Sequence, residues 1–207
     1  MKTIIKLRLI LLLLVGIFVF VSCGDPNNAK KADGIPTKTA SAEGAIPFLS
    51  GWSKDKVLAI SKGSRPKPAE YLPEWYIAEH KKAYQTGASY LVPKAVLDKY
   101  GRTKLGRADG QFVMTAPTMD KMLEKANGKV SEVETQLGIP PGAWAGKEIS
   151  RIDVKALDAL NLRIPSGNEG GANELWLPGG KLPTGFWEGV VDPISEGQYT
   201  ETVLNLK

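Results

Sequence analysis

Residues 165–180 read Pro-Ser-Gly-Asn-Glu-Gly-Gly-Ala-Asn-Glu-Leu-Trp-Leu-Pro-Gly-Gly and concentrate groups able to do chemistry. Five glycines in sixteen residues let the backbone take positive φ and approach a ligand closely. Glu169 and Glu174 supply carboxylates there, and Asn168 and Asn173 supply amides. A surface hairpin is the plainer reading of such a loop. Upstream, Gly106 and Gly110 bracket Arg107 and Asp109 just before an apolar segment. The planar fork of an arginine suits bidentate hold of phosphate or carboxylate. The alternative is that Arg107 pairs with Asp109 or another carboxylate. His80 is the single histidine, a candidate base for metal-free RNA cleavage or a structural residue of a helix. One histidine excludes a multi-histidine metal site, and no acidic loop has EF-hand spacing. No metal is therefore expected.

Cys23 is the one cysteine. Before it stand a basic start (Lys2, Lys6, Arg8), an apolar run over residues 9–21 and Val21-Ser22. Such a run is too short to span a bilayer and reads as a secretory signal. Val-Ser-Cys resembles a bacterial lipobox, which makes Cys23 the lipid-modified residue, unless the signal is an ordinary one and Cys23 incidental. With Cys23 so used, thiol catalysis, disulfides and Cys-ligated zinc are excluded. Diacylation at that position gives stable membrane anchoring. The net charge of +5 falls to about +2 without the signal, and no basic stripe with interleaved aromatics marks a nucleic-acid surface.

The elements that must position these residues follow in order. Residues 1–22 are the signal and 23–45 a polar tether. Residues 46–207 are long enough for one domain with its own core. Ordered structure is expected from Ile46 onward, because Phe48, Leu49, Trp52, Val57 and Leu58 lie within the next residues. A basic loop covers 62–68. Pro73-Glu74 opens a helix running to about Gln85. Residues 88–92 form a strand, 94–100 a helix ended by Gly101, and 117–126 a helix with Met119, Met122 and Leu123 toward the core. Ser131 and Glu134 have capping-box spacing and open a helix that ends at Gly138. Residues 149–154 alternate as a half-buried strand, and strands are expected over 188–191 and 200–206. Twenty-two glycines and fourteen prolines fit a loop-rich α+β domain of small antiparallel sheets, with short helices clustered on one side.

Residues 96–178 carry four blocks in a familiar order: Leu97-Asp98-Lys99-Tyr100-Gly101, then Gly110-Gln111-Phe112. Leu137-Gly138-Ile139-Pro140-Pro141-Gly142 comes next, and Gly167-Asn-Glu-Gly170-Gly171-Ala-Asn-Glu174-Leu-Trp-Leu177-Pro178 last. This order resembles the NAD glycohydrolase domain of the tuberculosis necrotizing toxin family, built on a reduced ADP-ribosyltransferase core. It is also similar to toxin modules at the C-termini of bacterial polymorphic toxins. The resemblance implies NAD as substrate, no metal, and cleavage of the nicotinamide–ribose bond by glycohydrolase or ADP-ribosyltransferase chemistry. It places Glu174 where the family has a catalytic glutamine and Lys99 where it has a turn arginine. Lys99 is the weaker phosphate fork, so Arg107 takes over part of that role. Gln111, Phe112, Asn168 and Trp176 become candidate contacts to the dinucleotide. A toxin of this kind implies an immunity partner, a membrane reached through the lipid on Cys23, and a place in the bacterial cell envelope. Two other readings stay open. One is a metal-independent ribonuclease toxin using His80, and the other a lipid-anchored binding domain without catalysis.

Overall fold

The computed structural model describes residues 45–207. The signal, Cys23 and the tether up to residue 44 lie outside the described residues. The domain is mixed α+β, built on a five-stranded antiparallel sheet.

Its elements are α1 (Lys54–Leu58), α2 (Pro68–Tyr71), α3 (Glu74–Ala83), β1 (Ala88–Pro93), α4 (Lys94–Tyr100), β2 (Lys104–Leu105) and β3 (Gln111–Thr115). They continue with α5 (Ala116–Ala126), α6 (Val130–Leu137), β4 (Ile149–Val154), a 3-10 turn (Leu157–Leu160), β5 (Glu188–Val191), β6 (Ile194–Ser195) and β7 (Tyr199–Leu204). The large sheet runs β5-β3-β1-β4-β7, and β2 pairs with β6 apart from it.

Alternation along the strands divides the sheet into two buried faces. Tyr90 faces Ile152 across the β1–β4 pair, and these two join Ala88, Val113, Val154 and Val191 on the first face. Tyr84 at the end of α3 and Leu97 of α4 cover that face. Leu91, Met114 and Ile149 point to the second face, where Met119, Met122 and Ala126 of α5 and Val133 of α6 pack against them. Helices thus cover both faces, not one side as composition led us to expect. Strands buried on both faces need cover on each, and the chain has enough short helices to provide it.

α5 starts where Thr115 accepts the Thr118 N–H and Pro117 occupies the first turn. It stops at Asn127, whose left-handed φ of 48° ends the helix. α6 corrects the capping-box expectation. Its N-cap is Lys129, with no side-chain cap, and Glu134 is buried and turned elsewhere. Its two oxygens accept the N–H groups of Gly142 at 2.8 Å and Trp144 at 2.6 Å. A buried carboxylate needs donors, and the rigid Pro140-Pro141 loop offers two free N–H groups. Glu134→Ala orphans both, so the domain should lose about 2–3 kcal/mol in urea unfolding, with faster amide exchange at residues 142–144.

A third apolar cluster gathers Val57, Tyr71, Leu72 and Tyr76 from α1–α3 with Ile164 and Trp176. It clamps the Gly-rich stretch between the first helices and the sheet. That stretch is therefore no surface hairpin: Pro165, Gly167, Glu169, Trp176, Pro178, Gly179 and Gly180 are all buried.

Candidate active site

A cleft of about 640 Å³ opens on the second face of the sheet. β3 and β5 supply its floor with Phe112, Met114 and Glu188, while the end of α6 adds Gln136 and Leu137. Gly171, Asn173 and Trp176 of the Gly-rich stretch form the opposite wall. Leu182, Pro183 and Thr184 close one end.

The Gly-rich stretch holds its shape through a dense set of local bonds. Glu169 accepts the Ser166 N–H at 2.9 Å and the Gly167 N–H at 2.8 Å through its two oxygens. The Ser166 hydroxyl donates to the same carboxylate. Asn168 accepts from the N–H groups of Gly63 and Arg65 and donates to the Arg65 carbonyl. The basic loop is thus stitched to the glycines by Asn168, by Arg65 donating to the Gly167 carbonyl, and by Lys62 donating to the Ala172 carbonyl. Arg65 also stacks 4.5 Å from the centre of the Trp176 ring. Asp109 accepts the Gly170 N–H, which fixes the Arg107 turn against the glycines.

Arg107 emerges from that turn exposed and lines the cleft beside Gly170 and Gly171. Its pairing with Asp109, the alternative reading, is not what forms. The Arg107 guanidinium makes neither ion pair nor hydrogen bond among the described residues, while one Asp109 oxygen accepts the Gly170 N–H. A guanidinium left free at a cleft mouth is available to an anion.

The other candidate residues divide. Gln111, Phe112 and Trp176 line the cleft with Arg107. Gln111 ties its amide to the Phe112 carbonyl at 2.9 Å, and the Phe112 ring lies against Gly171. Glu174 is exposed and stands at the rim, between the lining residues Asn173 and Leu175 but not itself in the lining. Asn168 is not in the lining and spends its side-chain amide on Gly63 and Arg65. Lys99 lies on α4, whose buried Leu97 belongs to the opposite face of the sheet. Its ammonium sits 5.0 Å over the Tyr100 ring, so it does not share the anion site of Arg107.

His80 is fully buried and sits outside this cleft. Its Nε2 bonds the Glu188 carbonyl at 2.9 Å, and its ring packs against Tyr84 and Trp187. Burial lowers its pKa to about 4, so it is neutral at ordinary pH. A ribonuclease reading loses its base, since a polymer cannot reach this imidazole.

Sequence reasoning passed over Glu188. It is half-buried and lines the cleft, and burial followed by repulsion from Glu169 raises its pKa to about 7. The available signal was an acid beginning the otherwise apolar strand Glu188-Gly-Val-Val191. Gln136 was passed over as well: it is 8% exposed, and its Nε2 finds no partner.

Among the described residues no group of three or more His, Cys, Asp or Glu is placed to hold a metal ion. No helix among them is long and apolar enough to cross a membrane. No protein-family model matches this chain, and no curated protein or solved structure gives a significant match.

Proposed function

We propose that the cleft binds NAD and cleaves its nicotinamide–ribose bond, in a toxin-like protein anchored by lipid on Cys23 at the bacterial envelope. One observation carries the reading. Three blocks far apart in the sequence, Gly110-Gln111-Phe112, Leu137-Gly138-Ile139 and Gly171 to Trp176, converge on one cleft. They belong to the same motifs that resemble NAD-cleaving toxins. A reduced ADP-ribosyltransferase core for the antiparallel sheet is part of the same proposal, supported by that resemblance alone. Nucleic acid is not favoured as a partner, and protection of the producing cell would fall to export or an immunity protein.

In this reading Arg107 holds the pyrophosphate, and Phe112 offers its ring to nicotinamide or adenine. Trp176 already carries Arg65 on its ring, so it contributes an indole N–H more readily than a stacking face. Bond cleavage passes through an oxocarbenium-like transition state, which a nearby carboxylate stabilises. The resemblance points to Glu174 for that carboxylate, but Glu174 stands exposed at the rim, outside the lining of the cleft.

Arg107→Ala should raise KM for NAD by about 10–100-fold, the loss of one or two charge-assisted hydrogen bonds. Its kcat should change less, because the pyrophosphate is held equally before and during reaction. Steady-state kinetics of the full-length chain with an etheno-NAD analogue reads both constants. An unchanged KM would remove Arg107 from the site.

A further inference from the structure

We propose that Glu188, and not Glu174, is the catalytic carboxylate of the cleft. It would contact the ribose and take the proton of the attacking water. This rests on the NAD-cleaving reading above and assigns a residue within it.

Glu188 is the single carboxylate among the described residues that line the cleft, as Arg107 is the single cation. Glu169 spends both oxygens on Ser166 and Gly167, and Asp109 is bound to Gly170. Glu174 lies on the exposed rim. The Glu188 carboxylate makes neither ion pair nor hydrogen bond among the described residues, so its oxygens are free for a ligand. Its backbone is held firmly meanwhile. Its N–H donates to the Gly180 carbonyl at 2.9 Å, its carbonyl meets His80, and its register places it opposite Met114 of β3. A rigid strand is a better platform for a reacting group than a loop tip.

A second observation points to a ligand. Trp176 and Gln136 also line this cleft, are 5% and 8% exposed, and leave Trp176 Nε1 and Gln136 Nε2 buried without partners. Buried donors left unsatisfied are costly. Two of them in a cleft that also carries the Glu188 carboxylate and the Arg107 guanidinium make a polar set that a hydroxyl-rich dinucleotide would complete.

The step balances with water as the second reactant. The C1′–N bond breaks and its electron pair stays on the ring nitrogen, which turns cationic nicotinamide into the neutral leaving group. Water oxygen bonds to C1′, and its proton passes to the Glu188 carboxylate and then to solvent. The products are nicotinamide, ADP-ribose and one proton. The carboxylate must be ionised at the start, so activity should rise with pH through about 7 and fall below it. The charged and titratable groups packed around it are few. Glu169 belongs to the Gly-rich stretch, and Tyr84 and the neutral His80 to α3. Arg107 lies in the same cleft, while Lys181 sits over the Trp187 ring.

The test compares Glu188→Gln and Glu174→Ala in the full-length chain, with thermal unfolding to confirm that each is folded. Expected is a loss of kcat of at least 100-fold in E188Q and of less than 10-fold in E174A. The wild-type kcat should show a pH midpoint near 7. Residual kcat in E188Q should lack that midpoint. Carbon-13 NMR of the Glu188 carboxyl should report the same midpoint without substrate, and NAD or ADP-ribose should displace it. A folded E188Q that keeps its kcat, or a wild-type carboxyl that titrates near 4, overturns the assignment while leaving NAD cleavage standing. A wild type that does not cleave NAD overturns both.

Discussion

Gly110→Ala should destabilise the domain by about 3 kcal/mol or more and lower its melting temperature by on the order of 10 °C. Gly110 has φ +128°, a conformation that side-chain-bearing residues rarely take. A Cβ there would also stand 2.3 Å from Cγ1 of Val190 and 3.0 Å from Nη2 of Arg163. Val190 cannot move aside without disturbing the core, and Arg163 moves only by giving up its bonds. Val190 is fully buried in β5, and Arg163 is held by Asp192 at 2.7 Å and by the Asp109 carbonyl. Gly185→Ala isolates the two causes. Gly185 has φ +83° but nothing within 4 Å of its would-be Cβ, so its cost should be about 1 kcal/mol. Equal losses in the two variants, measured by differential scanning calorimetry, would show that the Val190 contact contributes nothing. The expected gap reports how tightly β3 and β5, which carry Phe112 and Glu188, are pressed together.

Glu169→Ala should have the second large effect, and it reaches two observables. Losing the carboxylate leaves the Ser166 and Gly167 N–H groups and the Ser166 hydroxyl without their acceptor. At about 1–3 kcal/mol for each buried orphan, a loss of about 2–4 kcal/mol is expected after partial relaxation. Chemical denaturation measures it. The same substitution removes a negative charge whose repulsion helps to hold the Glu188 pKa at about 7. Without it the Glu188 carboxyl should ionise at lower pH, a shift readable by NMR. The sign is fixed, since less repulsion always favours the charged form. A Glu188 that titrates unchanged would mean that burial alone sets its value. Stability carries the opposite sign at Glu188 itself. Its pKa is raised in the folded state, so its neutral form stabilises the fold at acid pH and that benefit fades as pH rises through about 7.

Local pattern made much of this architecture legible. Ile149, Ser150, Arg151, Ile152, Asp153 and Val154 alternate, and β4 spans those same residues. Pro93 and Gly101 bracket α4 as the chain's punctuation implied, and β5 covers residues 188–191 as expected. Short pieces escaped notice for a physical reason. β2 and β6 pair only two residues each, α1 and α2 are five and four residues long, and none of these has room for a period. Ends drifted too: α3 stops at Ala83 and β7 at Leu204, each two residues before the expected end.

The site was legible in part. The spacing of glycines drew attention to residues 165–180 and to Arg107, and both border the cleft. Which polar groups face a ligand was a different matter, because it depends on which are already used. Ser131 and Glu134 satisfy a capping pattern, yet the loop at 142–144 competes for the same carboxylate. Asn168 and Glu169 look like ligand contacts in a glycine-rich loop, yet their bonds go to the loop itself and to residues 63–65. Glu188, by contrast, sits among apolar neighbours in the sequence and Gln136 in a polar helical segment, and both read as incidental. Only the tertiary arrangement shows both lining the cleft, Gln136 with a buried Nε2 that finds no partner.

The most direct measurement is release of nicotinamide from NAD by the purified full-length chain in detergent, followed by separation and quantitation of both products. NAD cleavage at this cleft predicts nicotinamide and ADP-ribose in equal amounts, formed catalytically and competed by added ADP-ribose. Intact NAD after prolonged incubation with well-folded protein would contradict it and leave the cleft to a different ligand.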